Sequence, residues 1–282
     1  MNFCGLEQNY SSWESSKAVI LPAPYEASVT YQPGTAKGPG AIIKASGQVE
    51  LYDEELEKET YRLGINTLPP PVLKGLSAWE MIDQIHQLGS KIIDSGKFPV
   101  LLGGEHTVSI GLARSLAGKY PDLSIVQFDA HADLRDRYHG SSFNHACTGR
   151  RLGELAPVIP IGVRNLSRQE AEFIGQSGQK IIFAGQIIKQ PSLIKDIISS
   201  LGKNIYITID LDVLDPSIMP AVGTPEPGGL GWYDMLYLLS VLSSSRKIVG
   251  FDVVELAPIP DEIYSDFLAA KLIYRLLGYI FK

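Results

Sequence analysis

Leu123-Ser124-Ile125-Val126-Gln127-Phe128-Asp129-Ala130-His131-Ala132-Asp133 passes without a break from an apolar run into a cluster of charge. Five to six apolar and β-branched residues that end abruptly in acids read as a buried strand leaving a sheet. In extended backbone, alternate side chains point the same way, so Asp129, His131 and Asp133 are expected to share one face. Two carboxylates around an imidazole offer hard and borderline ligands to a metal ion. The pattern returns downstream, where Ile205-Tyr206-Ile207-Thr208-Ile209 runs into Asp210-Leu211-Asp212. Both stretches therefore predict acidic groups at the C-terminal edge of a parallel sheet, the edge at which open α/β proteins bind ligands.

On either side of these stretches, strand and helix signals alternate. Residues 17–21 read as a first strand, followed by a loop whose Pro33-Gly34 pair signals a turn. Gly38-Pro39 opens a short helix through Ser46, with proline in the first turn where its missing N–H costs nothing. Pro69-Pro70-Pro71 marks a rigid connection. Ser77 begins an amphipathic helix with Met81, Ile85 and Leu88 at helical spacing. Residues 99–102 form a strand ending in Gly103-Gly104-Glu105-His106, and 107–116 look helical. Strands at 158–163, 180–183 and 204–209, a helix at 192–201, a Gly/Pro-rich loop at 216–231, a strand at 247–254 and a helix at 265–277 complete the order. Such alternation predicts an α/β protein, three layers α/β/α around a mostly parallel central sheet. No break in composition and no internal repeat divides the chain, so residues 1–282 are expected to form a single domain.

Composition narrows the function classes. A net charge of −6 without clustered Lys and Arg argues against nucleic acid as a partner. Cys4 and Cys147 are too few for a disulfide framework and lack zinc-site spacing, which suits reduced thiols. The N-terminus carries Glu7 and Glu14 and no continuous apolar stretch, so a signal peptide is not expected. No apolar run reaches membrane-spanning length. A cytoplasmic protein with no membrane partner is expected.

Four strand ends then carry polar side chains: His106, the Asp129-His131-Asp133 set, Asp210 with Asp212, and Glu255. Singly, each has an ordinary reading, since aspartates after strands commonly cap the next helix. Together they do not, because burying like charges side by side is expensive without cations. Four aspartates and two histidines exceed the needs of one ion and suit two divalent ions with two bridging aspartates. Oxygen-rich ligation without thiolate points to Mn²⁺ ahead of Zn²⁺, with Co²⁺ and Fe²⁺ left open.

At these residues the sequence closely resembles the ureohydrolases, the family of arginases and agmatinases. Its motifs are Gly103-Gly104-Glu105-His106-Thr107, Asp129-Ala130-His131-Ala132-Asp133, and Ile209-Asp210-Leu211-Asp212-Val213-Leu214-Asp215-Pro216 continuing to Gly223-Thr224-Pro225-Glu226-Pro227-Gly228-Gly229. They occur in the family's order and span nearly the whole chain, and Ser28-Val29-Thr30-Tyr31 to Gly38-Pro39 looks like the agmatinase branch. The resemblance implies an arginase-like fold and two Mn²⁺ per subunit. One ion would be held by His106, Asp129, Asp133 and Asp210, the other by His131, Asp129, Asp210 and Asp212, with Asp129 and Asp210 as bridges. It further implies a metal-bridging hydroxide that attacks the guanidinium carbon, Glu255 as the guanidinium-binding carboxylate and His145 as the proton shuttle. His139-Gly140 imitates the shuttle motif of other branches, but His145 is favoured because the next helix follows it. His86 is expected to be a surface or packing residue, Glu105 to hold the His106 imidazole, and Asp215 and Asp252 to serve turns or support the site. Gly40, where agmatinases often have Arg, and Ala221, in place of the usual Gly after Pro220, depart from the pattern without touching a ligand.

The loop Leu134-Arg135-Asp136-Arg137-Tyr138 lacks the Asn- and Ser-bearing pattern that arginases use for the amino-acid end of arginine. Agmatine, split to urea and putrescine, is therefore the expected small cationic substrate. N1-aminopropylagmatine is a close second, and 4-guanidinobutyrate a third should Arg135 or Arg137 receive a carboxylate. Outside this class stand a zinc deacetylase of the same broad fold and a non-catalytic polyamine-binding relative. A homo-oligomer, trimer or hexamer, is expected by analogy.

Overall fold

In the computed structural model, which describes residues 1–282, eight strands lie side by side and every pairing between them is parallel. In chain order they are β1 (Ala18–Ala23), β2 (Ile65–Thr67), β3 (Phe98–Gly103), β4 (Leu123–Phe128), β5 (Val158–Val163), β6 (Ile182–Phe183), β7 (Asn204–Asp210) and β8 (Lys247–Val254). Across the sheet the order is β2-β1-β3-β8-β7-β4-β5-β6. β3 and β4 follow each other in the chain but stand two strands apart. The late strands β7 and β8 fill the gap, and this brings four chain segments together at one edge.

Parallel neighbours require crossover connections, and helices supply them on both faces. The period-2 alternation of the strands divides the core accordingly. Ala18 and Ile20, Val100 and Leu102, and Ile205, Ile207 and Ile209 enter one buried layer. Val19, Leu21, Leu101 and Tyr206 enter the other. The first is closed by helices Gly38–Ser46, Leu193–Ser199, Trp232–Ser245 and Tyr264–Ile280, the second by Ala78–Asp94 and Ser109–Lys119. Each fully buried Ile or Leu stabilises this arrangement by about 1.5–3 kcal/mol relative to exposure. The result is the expected α/β/α fold, with a sheet that is parallel throughout.

Local signals account for the starts of two helices. Ser77 accepts the Glu80 amide while the Glu80 carboxylate accepts the Ser77 amide at 2.8 Å, so a capping box starts helix Ala78–Asp94. The same device, Ser167 with Glu170, starts helix Arg168–Ser177, an element absent from the sequence expectation although its Ser-x-x-Glu signature is legible. Helix Trp232–Ser245 likewise has no counterpart among the elements expected from the sequence. The strand expected at 180–183 is reduced to Ile182–Phe183, a two-residue sheet edge that leaves little backbone to pair with a neighbour. After β3 the chain passes against the Tyr25 carbonyl. A Cβ on Gly104 would lie 2.1 Å from that oxygen, so only glycine allows the approach. No helix is long and apolar enough to cross a membrane.

Candidate metal centre

Strand register decides which side chains meet. Phe128 pairs with Ile209, so Asp129 and Asp210 emerge as neighbours from β4 and β7. Asp210 pairs with Val254, so Glu255 leaves β8 one residue further on. Leu102 pairs with Val253, and the Glu255 amide then donates to the Gly104 carbonyl, which places His106 beside the same edge.

Asp129, His131 and Asp133 meet at one centre, as expected, but a turn and not a continuing strand brings them there. β4 ends at Phe128, and Asp133 has φ 51°, a left-handed conformation that is uncommon outside glycine. The turn aims Asp133 back at His106 and sends His131 towards Asp212. His106 Nδ1 lies 3.2 Å from Asp129, 3.3 Å from Asp133 and 3.5 Å from Asp210. His131 Nδ1 lies 2.8 Å from Asp212 and 3.7 Å from Asp129. Two potential ion-holding groups result, His106-Asp129-Asp210 and Asp129-His131-Asp212, with Asp129 common to both.

Burial and the mutual repulsion of its carboxylates leave this cluster favouring added protons or a bound cation. His106 Nδ1 is buried and has no hydrogen-bond partner, yet three carboxylates surround it. Burial, then the charges of Asp212, Asp129 and Glu255, raise the Asp210 carboxyl well above the usual range. Burial and the Asp129 charge push Asp133 up to about 7 against the pull of His106. Burial disfavours the His131 imidazolium, but Asp212 and Asp129 outweigh it and push that group up to about 12. Buried oxygen donors with two imidazoles and no thiolate are a donor set that fits divalent cations.

Supporting residues hold these groups from behind. His106 Nε2 lies 2.9 Å from Thr208 Oγ1, whose hydroxyl donates to Asp252 at 2.7 Å, and Tyr206 also donates to Asp252. Asp215 instead accepts the amides of Ser217, Gly228 and Gly229 and shapes a turn. Glu105 does not hold the His106 imidazole, contrary to expectation. Its oxygens accept the amides of Ala27 and Ser28 and the hydroxyls of Ser28 and Thr107, at 2.6 to 2.8 Å. Thr208 shares the β7 face of Asp210 by period 2, so alternation could have flagged it. For Ser28 the sequence carries no such signal.

A cavity of about 190 Å³ opens over the cluster, lined among others by Tyr31, His131, Asp133, His145, Asp210 and Glu255. Glu255, at φ 66°, accepts the His106 amide through Oε1 at 2.6 Å. Burial, opposed by that amide and reinforced by Glu105, pushes its carboxyl up to about 8, so it gains from a cation in the cavity. His145 opens the turn His145–Cys147, with Nδ1 3.1 Å from Ser28 Oγ. His139 is exposed and outside the lining, and His86 packs against Ser115 at 3.1 Å.

Fold and site together define an α/β protein with a buried carboxylate-histidine cluster, whose donors could hold divalent cations, at the floor of a cavity lined by the Glu255 carboxylate. Residues 16–278 match the model of the Arginase family, and the chain belongs to that family. It is 39% identical to an N(1)-aminopropylagmatine ureohydrolase of Synechocystis sp. over 280 residues, 95% of this chain and 90% of that protein. It is 34% identical to an agmatinase of Bacillus anthracis, covering 97% of this chain and 95% of that protein. The crystal structure of the agmatine ureohydrolase of Thermoplasma volcanium superposes with a TM-score of 0.88 at 30% identity, over 99% of this chain and 95% of that one. The chain is thus an arginase-family ureohydrolase, an amidinohydrolase acting on the C–N bond of a small guanidino compound.

Proposed function

We propose that the substrate is an agmatine-type cation whose guanidino group is released as urea, agmatine itself yielding putrescine. The observation that carries this reading is Glu255. Its Oε1 is fixed by the His106 amide and its carboxylate lines the cavity, where it would accept paired N–H groups from a planar guanidinium. The longer N1-aminopropylagmatine is the second reading, favoured by the relatives of that name at 35–39% identity. A carboxylate-bearing substrate is less well served. Arg135 lines the cavity, but its guanidinium stacks on Tyr138 and lies 3.7 Å from the Glu170 carboxylate.

His106, Asp129, Asp133 and Asp210 are assigned to one ion and His131, Asp129, Asp210 and Asp212 to a second, with Mn²⁺ the first choice. Bound there, such ions supply Lewis acidity, which makes water a competent nucleophile near neutral pH. The protein's own groups do the rest. Glu255 holds the guanidinium carbon over the cluster and neutralises the cation as it leaves bulk water. His145 faces the same cavity and carries a proton to the departing amine nitrogen, which would otherwise leave as an unstable anion. The complete donor set and the presence of Glu255 weigh against both a one-zinc deacetylase and a non-catalytic relative.

The test is urea release by Mn²⁺-loaded protein from agmatine, aminopropylagmatine, guanidinobutyrate and arginine under identical conditions. Turnover is expected on the first two, and no urea from any of the four would defeat the proposal. Glu255→Gln should retain metal yet lose roughly 10- to 100-fold in kcat/KM, since a hydrogen bond to a charged group contributes about 1.5–3 kcal/mol. Metal loss with substrate affinity intact would show that Glu255 has a different role.

A further inference from the structure

We infer that Ser28, itself held by the buried carboxylate of Glu105, fixes His145 as the Nδ1–H tautomer and so presents an unprotonated Nε2 to the cavity. The inference rests on the reading of His145 as the proton carrier, and it assigns Ser28 and Glu105 as positioning residues for that step. Counting protons around one hydroxyl leads to it. Glu105 is fully buried, and a carboxylate only accepts hydrogen bonds. Its Oε2 takes the amides of Ala27 and Ser28 at 2.6 and 2.7 Å. Its Oε1 takes the hydroxyls of Thr107 and Ser28 at 2.7 and 2.8 Å. Ser28 has one hydroxyl proton, and Glu105 has claimed it. Towards His145 the Ser28 oxygen can therefore only accept, and it lies 3.1 Å from Nδ1 and 3.2 Å from the His145 backbone nitrogen. Two donors of residue 145 thus converge on one oxygen, which sets both the ring's orientation and the nitrogen that bears hydrogen.

The consequence is chemical. With hydrogen on Nδ1, the Nε2 lone pair is free to take a proton released by the water whose oxygen adds to the guanidinium carbon, and Nδ1–H stays on Ser28 while the ring is an imidazolium. Nε2 then returns the proton to the amine nitrogen that leaves with the electron pair of the broken C–N bond, and the ring ends neutral again. The opposite tautomer would offer the cavity an N–H where a base is needed. Burial holds the His145 pKa below the usual histidine range, so the neutral ring, the form in which tautomer matters, prevails at neutral pH. Ser28 lies 117 residues from His145, and Glu105 lies 77 residues from Ser28.

The experiment is ¹⁵N NMR of the 282-residue protein loaded with a diamagnetic divalent cation, Zn²⁺ or Mg²⁺, and carrying labelled histidine, His145→Gln serving to assign the resonances, alongside steady-state kinetics of the Mn²⁺-loaded protein. The wild type should show a protonated Nδ1 and a bare Nε2 at His145. Ser28→Ala should move the population towards Nε2–H and lower kcat about 10- to 100-fold with KM little changed, the range typical of outer-shell partners, and Ser28→Thr should restore the Nδ1–H form. Should Ser28→Ala not fold, Glu105→Gln gives a second reading. Its amide would donate to Ser28, turn the hydroxyl proton towards Nδ1 and invert the tautomer. An Nε2–H ring in the wild type, or a Ser28→Ala protein with the tautomer unchanged, overturns the inference. Absence of urea from the wild type would instead sink the proposed function, and the tautomer result would still decide the role of Ser28.

Discussion

Asp129→Asn is expected to strip the protein of metal and to reduce urea release well beyond the roughly 10- to 100-fold that follows loss of an outer-shell partner. Asp129 is common to both candidate ion-holding groups, so one substitution weakens the two together. Its carboxylate is fully engaged. Oδ2 accepts from Gln127 at 2.8 Å and lies 3.2 Å from His106 Nδ1, and Oδ1 accepts the His131 amide at 2.6 Å. Asparagine keeps the shape but removes the charge and replaces one acceptor by an N–H pair, which must face either Gln127 and His106 or the His131 amide. Metal content by elemental analysis and urea release at saturating Mn²⁺ measure the effect. A variant that holds two equivalents of metal and turns over normally would remove Asp129 from the centre.

Arg275→Met is expected to cost about 3–5 kcal/mol of stability, the range for breaking a buried charge pair by removing one partner. At about 2–4 °C per kcal/mol for chains approaching this size, the melting temperature should fall by roughly 6–20 °C. Arg275 belongs to the C-terminal helix and is 2% exposed. Its Nε lies 2.5 Å from Asp53 and its Nη2 2.7 Å from Glu54, while Nη1 pairs with Glu55. Glu54 and Glu55 reach solvent and can rehydrate, but Asp53 is fully buried. The stranded Asp53 charge therefore dominates the cost. Adding Asp53→Asn should recover most of the loss, because the asparagine oxygen still accepts the Glu55 and Leu56 amides that Asp53 Oδ1 takes at 3.1 and 2.9 Å. Calorimetry of the two variants tests this, and an unchanged melting temperature for Arg275→Met would refute it.

Much of the fold is legible in local pattern. The runs 123–128 and 204–209 are apolar on both faces because helices cover both sides of the sheet. Their abrupt change to acid marks the edge where ligands bind. Helix Ala78–Asp94 carries its start signal in Ser77 and Glu80. The failures are equally local in origin. Period 2 holds only along an extended strand, which ends at Phe128, so the meeting of Asp129, His131 and Asp133 at one centre rests on the turn that follows, left-handed at Asp133, and not on strand alternation. Proximity in sequence suggested that Glu105 holds His106, whereas its backbone points it at residues 27 and 28.

The residue types that can supply the centre's donors, the strands that carry them and the edge at which they emerge were determined by the sequence alone, because burial and backbone propensity act over a few residues at a time. The tertiary structure alone decided that β7 and β8 close the gap between β3 and β4, that Asp129 stands next to Asp210, and that a hydroxyl from residue 28 meets the ring of residue 145. Those juxtapositions depend on strand order and register, which arise from packing two core layers across the whole chain and leave no mark in any single stretch of it.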